Sequence, residues 1–140
     1  MKASLSLSGA RNERGAAAVE FALIASILIA IISAVIEFGF AYNELQVMTS
    51  AAREGARYAA VRNEVADVVE RVGTATVGYA TSEAPTVTVS GTTVSSGAAC
   101  TDDTPGEPVA VSWTQDFEIA IFGLPVMNPD TDIESVFKCE

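Results

Sequence analysis

Residues 14–42 read RGAAAVEFALIASILIAIISAVIEFGFAY, and this apolar stretch decides the fold of the chain. No charged residue occurs from Phe21 to Ile36, a segment that covers roughly 24 Å as an α-helix. Extended to Tyr42, the helix reaches the roughly 30 Å of a bilayer's hydrocarbon core. We therefore predict that residues 16–42 form a transmembrane helix.

A cleaved secretory signal is the alternative interpretation, because the small residues around Ser33 and Ala34 resemble a signal-peptidase site. The apolar region of such a signal is normally about 7–15 residues long. Here the apolar stretch is longer and continues past an embedded carboxylate, Glu37. A helix that is retained in the membrane fits this pattern better.

Charged residues are distributed unequally along the 140-residue chain, which has a formal net charge of −10. Residues 1–15 contain three bases and one acid, whereas residues 16–140 contain five bases and seventeen acids. A basic leader before an apolar span remains in the cytoplasm. We therefore expect a single pass with the N-terminus inside and the C-terminal domain in the periplasm or outside the cell. The acidic C-terminal part argues against nucleic-acid binding, which requires clustered Lys or Arg.

The helical pattern continues beyond the apolar stretch. Residues 43–72 contain no proline and only Gly55 as a helix-weakening residue, so we predict an extramembrane amphipathic helix there. A helix unbroken over residues 17–72 would be roughly 80 Å long. Such a rod needs lipid at one end and partner helices or a packed domain along the other. Its apolar stripe consists of Leu45, Met48, Ala52, Ala56 and Ala59.

Composition and periodicity change after this helix. Glycine, threonine and serine are frequent in residues 73–84, which we predict to be a linker. From residue 85 onward, apolar residues alternate with polar ones, a pattern typical of β-strands. We predict a hairpin at 86–94, strands at 109–113, 117–121 and 133–139, a turn or bulge at 114–116, and a loop at 123–131.

The sequence therefore predicts an α+β fold, in which a long N-terminal transmembrane/stem helix is followed by a small antiparallel β-sheet head at residues 85–140. About four strands are too few to be stable alone. Trp113 and Phe117 fall on the inward-alternating positions, so we expect them in the core. In an oxidising compartment Cys100 and Cys139 would most simply pair and close a loop worth roughly 3–4 kcal/mol. Two unrelated buried thiols are the alternative.

The composition excludes several kinds of chemistry. The chain contains no histidine, which excludes Ser-His-Asp triads, His-assisted thiol catalysis and His-containing zinc sites. No glycine-rich phosphate loop precedes a helix, so we predict neither an enzyme nor a bound cofactor. Asp130, Asp132 and Glu134 alternate like the start of a calcium loop, yet the glycine and the final glutamate of an EF-hand are missing. A solvated strand edge explains this acidic run equally well.

Residues 14–61 contain the segments RGAAAVEFALI, IEFGFAY and AAREGARYAAV. Together they resemble the TadE-like minor pilins (pseudopilins) of the tight-adherence, or Flp-type, pilus system. In that family a prepilin peptidase cleaves after a glycine and leaves a mature chain whose fifth residue is glutamate. The resemblance implies cleavage between Gly15 and Ala16, with Glu20 as the fifth residue. Phe21 follows it, where Flp-type pilins usually have tyrosine.

The resemblance implies a non-enzymatic subunit of the bacterial cytoplasmic (inner) membrane that takes part in pilus assembly. Residues 1–15 would be the cytoplasmic leader that the peptidase removes. The implied partners are the prepilin peptidase, other pilin or pseudopilin subunits bound through the N-terminal helix, the assembly platform in the inner membrane, and the lipid bilayer. The alternative is an uncleaved, single-pass scaffold protein of an envelope secretion complex.

Two carboxylates in the apolar helix are the predicted assembly residues. The N-terminal amine of a neighbouring subunit would neutralise Glu20 and so fix the axial register of the two helices. Alternatively, Glu20 lies near the membrane surface and is solvated. Glu37 is followed by the aromatic residues Phe38, Phe40 and Tyr42 near the outer boundary of the bilayer. It is either an interfacial residue or a specific contact to a partner subunit.

Overall fold

The computed structural model describes residues 9–79, 81–121 and 124–140. Its first element is one long helix, α1, which spans Gly9–Ala60. These 52 residues contain no proline and many alanines, so the helix extends without a break for roughly 78 Å.

The predicted leader is helical from Gly9 onward. Alanine, arginine and glutamate at positions 10–14 are good helix formers, and they let the helix continue on the N-terminal side of the apolar stretch. Residues 1–8 of the leader lie outside the described part of the chain.

The predicted unbroken helix over residues 17–72 is wrong, because α1 ends and a second helix, α2 (Val65–Ala75), begins after a short turn. Arg62 in this turn has a φ of 66°, the left-handed conformation that commonly ends a helix. The side-chain Nδ2 of Asn63 donates a hydrogen bond of 2.8 Å to the carbonyl oxygen of Tyr58. The last carbonyls of α1 therefore find partners without a glycine or a proline at the break.

Among the described residues, the head contains six strands, which form two separate sheets. The strands are β1 (Thr86–Val89), β2 (Thr92–Thr93), β3 (Pro108–Asp116), β4 (Ile119–Ile121), β5 (Leu124–Met127) and β6 (Asp130–Lys138). Four of them form an antiparallel sheet in the order β2-β1-β3-β6, and β4 pairs with β5 as a hairpin of its own. This architecture confirms the predicted α+β fold of a long helix followed by a small antiparallel sheet.

Three local predictions in the head are wrong. Residues 114–116 are not a turn but the end of β3, because the ladder with β6 continues from Thr114↔Asp132 to Asp116↔Asp130. The predicted loop over residues 123–131 contains β5 and the beginning of β6, since backbone pairing supports strands that have no long apolar pattern. The first three residues of the predicted linker, 73–75, belong to α2. Gly123 and Ala80 lie outside the described residues.

The core lies between the inner face of the four-stranded sheet and the upper part of α1, together with α2. Small side chains on α1 let the sheet and α2 approach its backbone closely. The sheet contributes Val87, Val89, Val109, Val111, Trp113 and Ile133. The helices contribute Met48, Ala51, Ala52, Ala56, Ala59, Val65, Val68 and Val72. The predicted stripe of the stem is thus covered by a packed domain of the same chain. Trp113 and Phe117 are both buried, as predicted.

A disulfide between Cys100 and Cys139 lies where α1 ends, with the two Cα atoms 5.6 Å apart. Close by, the backbone N–H of Ala99 donates to the carbonyl oxygen of Asn63 at 3.0 Å. The backbone N–H of Glu140 donates to the carbonyl oxygen of Ala60, also at 3.0 Å. The disulfide therefore joins the loop before β3 to the C-terminal residues that cap α1.

Candidate functional site

The N-terminal part of α1 lies outside the packed head. From Gly15 onward, the first buried residue of the helix is Met48. The helix over Gly15–Ala60 contains an apolar segment with a mean hydropathy of 2.7 that is 0% buried, so its length and composition suffice to cross a membrane. An apolar surface of this size without cover marks a contact with lipid or with other helices. We call residues 15–47 of α1 the exposed stem.

The predicted processing residues lie at the beginning of the exposed stem. Gly15 and Ala16 are both helical and solvent-exposed. Glu20 follows Ala16 by four residues, so the two lie on the same side of the helix, roughly 6 Å apart along its axis. The neighbouring Phe21 is exposed as well. The structure thus places an apolar helix surface around a carboxylate close to the predicted cleavage point.

Neither of the two predicted assembly carboxylates forms an ion pair within the described part of the chain. The ion pairs found there join Arg62 to Asp102 and Arg71 to Glu54, and all four residues lie beyond the exposed stem. A carboxylate surrounded by lipid costs at least about 2–3 kcal/mol unless it is paired or solvated.

Glu37 lies farther along the exposed stem and is half-buried. The aromatic side chains that follow it, Phe38, Phe40 and Tyr42, are all more than half exposed. Tyrosine is enriched at the membrane–water boundary, and Phe38 and Phe40 add apolar surface next to Tyr42. Both predicted roles of Glu37, an interfacial residue and a contact to a partner subunit, fit this arrangement.

A polar junction that the sequence analysis did not identify lies where the head meets the stem. The side chain of Gln115 is buried, and its Nε2 lies 3.4 Å from Oε1 of Glu44 on α1. The Oε1 of Gln115 accepts a hydrogen bond of 3.1 Å from the backbone N–H of Ser82. Burial raises the pKa of Glu44 above its ordinary value. The only signal in the sequence is that Gln115 continues the inward alternation of Trp113.

The acidic run on β6 lies on the outer face of the sheet. Asp130, Asp132 and Glu134 are exposed, and Thr114 Oγ1 donates to Asp132 Oδ1 at 3.2 Å. Within residues 9–79, 81–121 and 124–140, no group of three or more His, Cys, Asp or Glu residues could hold a metal ion. The position of these acids corresponds to a solvated strand surface.

The comparisons with known proteins concern the stem. Residues 15–57 match the family model described as TadE-like protein. This segment is similar to TadE-like proteins. The match begins at Gly15, contains Glu20 and Glu37, and ends at Arg57 in α1. It therefore confirms the resemblance for the helix and does not include the sheet of the head. No curated protein and no solved structure matches the chain.

Proposed function

We propose that this chain is a minor pilin, or pseudopilin, that takes part in assembly of a tight-adherence (Flp-type) pilus. The TadE-like match over residues 15–57 is the observation that carries the proposal. The exposed stem supports it, because an apolar helix without cover can exchange lipid for neighbouring helices during assembly. Burial of α1 by the head begins at Met48, so most of the exposed stem stays open to either environment.

Processing is the first step of the proposed function. A prepilin peptidase removes residues 1–15 at the cytoplasmic face and leaves Ala16 as the new N-terminus. The new α-amino group lies at the end of a helix whose Glu20 has no ion-pair partner in the described chain. In an assembly, the amine of one subunit neutralises Glu20 of its neighbour and fixes the axial register of the two helices.

Intact-mass spectrometry of the membrane-extracted protein tests the processing step. When the chain is expressed with a tight-adherence prepilin peptidase, we expect a mature protein that begins at Ala16. Gly15→Leu should remain full-length, because the bulky side chain alters the residue that precedes the cleaved bond. Gly9→Leu is the matched control in the same leader and should be processed normally. A native chain that begins at any other residue would contradict the proposal.

Substitution of Glu20 separates this function from the alternative of an uncleaved scaffold protein in an envelope secretion complex. We expect Glu20→Ala to reduce crosslinking between subunits and their recovery in pili, while membrane insertion remains as in the native chain. Glu20→Asp keeps the negative charge and should retain more assembly than Glu20→Ala. The scaffold alternative predicts instead that residues 1–15 remain attached and that both variants behave like the native chain.

A further inference from the structure

Two arginines on α1 are left without an acidic partner in the head. Residues 16–140 contain five bases, and the ion pairs of the described chain use two of them, Arg62 and Arg71. Arg53 and Arg57 are exposed, and neither forms an ion pair within the part of the chain that the structure describes. They are four residues apart, so their side chains leave α1 on the same side, about 6 Å apart along its axis. We call these two residues the arginine pair.

Carboxylates line the outer face of the four-stranded sheet, which is turned away from α1. Asp132 and Glu134 are exposed alternate residues of β6, whereas Ile133 between them is buried in the core. Alternate residues of a strand lie about 7 Å apart on one face. Both acids line a recess of about 380 Å³, together with Glu83, Thr86, Ser112 and Thr114. None of its lining residues is basic, and we call it the acidic recess.

The arginine pair and the acidic recess match in charge and in spacing. A guanidinium group binds a carboxylate through two parallel N–H···O bonds, a geometry that suits arginine better than lysine. The arginines repeat at about 6 Å and the acids of β6 at about 7 Å, so two such pairs form side by side. Within one chain the two surfaces do not meet, because the sheet and the core lie between them. Bringing them together requires a second copy.

We propose that the arginine pair of one copy binds the acidic recess of a second copy. This proposal rests on the assembly of subunits in the proposed function. Residues 16–140 contain seventeen acids against five bases, so neighbouring heads repel each other unless cations of one face acids of the other. The contact uses a different surface on each copy. Every copy therefore keeps one surface free for the next, as in heterologous assemblies that form rings or filaments.

The directions of α1 and β6 fit two copies whose stems run parallel. The last residues of β6 lead to the end of α1, where the backbone N–H of Glu140 donates to the carbonyl oxygen of Ala60. The first residues of β6 lie near Tyr42, since Thr131 and Tyr42 line the same groove. Strand and helix therefore run in the same direction. A copy with a parallel stem aligns its β6 with α1 of its neighbour.

The heights of the two surfaces show how the copies are displaced. Interpolated between these two points, Asp132 and Glu134 lie level with about residues 44–48 of α1, which is roughly 13 Å below the arginine pair. The copy that supplies the recess is therefore raised by roughly 13 Å. Copies anchored at one level of a bilayer lack this displacement, so the contact forms on assembly. The Glu20 contact displaces two copies by about 6 Å, so the two contacts join a copy to different neighbours.

Photocrosslinking of the full chain in cells that assemble tight-adherence pili tests the contact. One copy carries benzoylphenylalanine in place of Ser50, which is exposed on the same side of α1 as the arginine pair. A second copy carries an affinity tag, and mass spectrometry of the tagged product identifies the crosslinked peptide. We expect crosslinks to β6 of the tagged copy in the pilus fraction. Crosslinks to another region of that copy, or to other proteins only, would overturn the proposal.

Charge reversal tests whether these side chains hold the contact. Arg53→Glu/Arg57→Glu in both copies should lower the crosslink yield severalfold, because acids then face acids. Asp132→Arg/Glu134→Arg in both copies should do the same, because arginines then face arginines. When one copy carries the first pair of substitutions and the other copy the second pair, opposite charges meet again and the yield should return. This recovery also shows that both variants fold, and its absence would overturn the proposal.

A matched control separates the specific contact from net charge. Asp67→Arg/Glu70→Arg reverses two exposed acids on α2 and changes the net charge by the same amount as the reversal on β6. Its crosslink yield should equal that of the native chain, and an equally large loss would overturn the proposal.

Recovery of the native chain in pili separates failure of the contact from failure of the proposed function. If the chain is recovered in pili without crosslinks to β6, only the contact is overturned and the pilin assignment remains. If the chain is absent from pili, both the contact and the proposed function are overturned.

Discussion

At the scale of single residues, Gly55 decides how closely α1 and α2 approach each other. A Cβ atom added at this position would lie 2.5 Å from Cγ2 of Val72. Val72 is fully buried and its β-branched side chain has little rotamer freedom, so it cannot move aside easily. The same position lies next to Val111 of β3, which makes it a junction of both helices and the sheet.

Gly55→Ala should therefore destabilise the head. Overpacking against Val72 costs about 1–3 kcal/mol, and the better helix propensity of alanine recovers up to about 1 kcal/mol of it. Gly73→Ala is the matched control, because Gly73 lies in α2 with open space around its Cα. It should raise the free energy of unfolding by up to about 1 kcal/mol. Denaturant unfolding in detergent measures both, and equal signs for the two variants would contradict this account.

Glu44 at the polar junction gives the head a pH-dependent contribution to stability. Burial raises the pKa of Glu44 in the folded chain above the ordinary value of 4.5, so the folded state binds its proton more tightly than the unfolded state. The contribution is favourable at acidic pH and is lost as the pH rises through the folded pKa. Glu44→Gln keeps an oxygen acceptor for Gln115 and removes this titration. The stability of Glu44→Gln relative to the native chain should therefore increase from acidic to neutral pH in thermal melts.

At the scale of elements, the disulfide and the hydrogen bonds beside it hold three segments together: the end of α1, the loop before β3 and the C-terminal residues. The double variant Cys100→Ala/Cys139→Ala should lower the free energy of unfolding by about 3–4 kcal/mol, since it frees a loop with a sequence separation of 39. Local opening should precede global unfolding. In hydrogen exchange we expect the N–H groups of Ala99 and Glu140 to lose protection first, while the N–H of Val94, which bonds to Val87, serves as the internal control. Uniform loss of protection at all three sites would contradict the local role.

Local patterns predicted the elements that depend on nearby residues, and missed those that depend on distant ones. The stripe from Leu45 to Ala59 indicated which side of the stem is covered, and the resemblance to TadE-like pilins implied the candidate processing site at Gly15. The end of α1 was not predictable, because one of its capping contacts comes from Glu140 at the C-terminus. The junction of Glu44 and Gln115 was missed for the same reason, since 71 positions separate the two residues.

At the scale of the whole molecule, the head does not end where the sheet ends. The part of α1 from Met48 to Ala60 forms one side of the core through Met48 and a series of alanines, and α2 packs beside it. An exposed apolar segment and a core-forming segment are therefore parts of one continuous helix. Any movement of the exposed stem carries the head with it, because the head and the end of α1 share a packed core.

This division predicts where the chain can be cut. A fragment of residues 43–140 keeps every residue of the buried cluster, so it should be soluble and unfold cooperatively, with the near-ultraviolet circular dichroism of a fixed Trp113. A fragment of residues 61–140 keeps α2, the sheet and both cysteines, yet it loses the wall that α1 provides. We expect this fragment to lack cooperative unfolding, because a sheet face that stays open to water cannot offset the entropy of ordering the chain. Equal melting temperatures for the two fragments would show that the stem and the head are independent units.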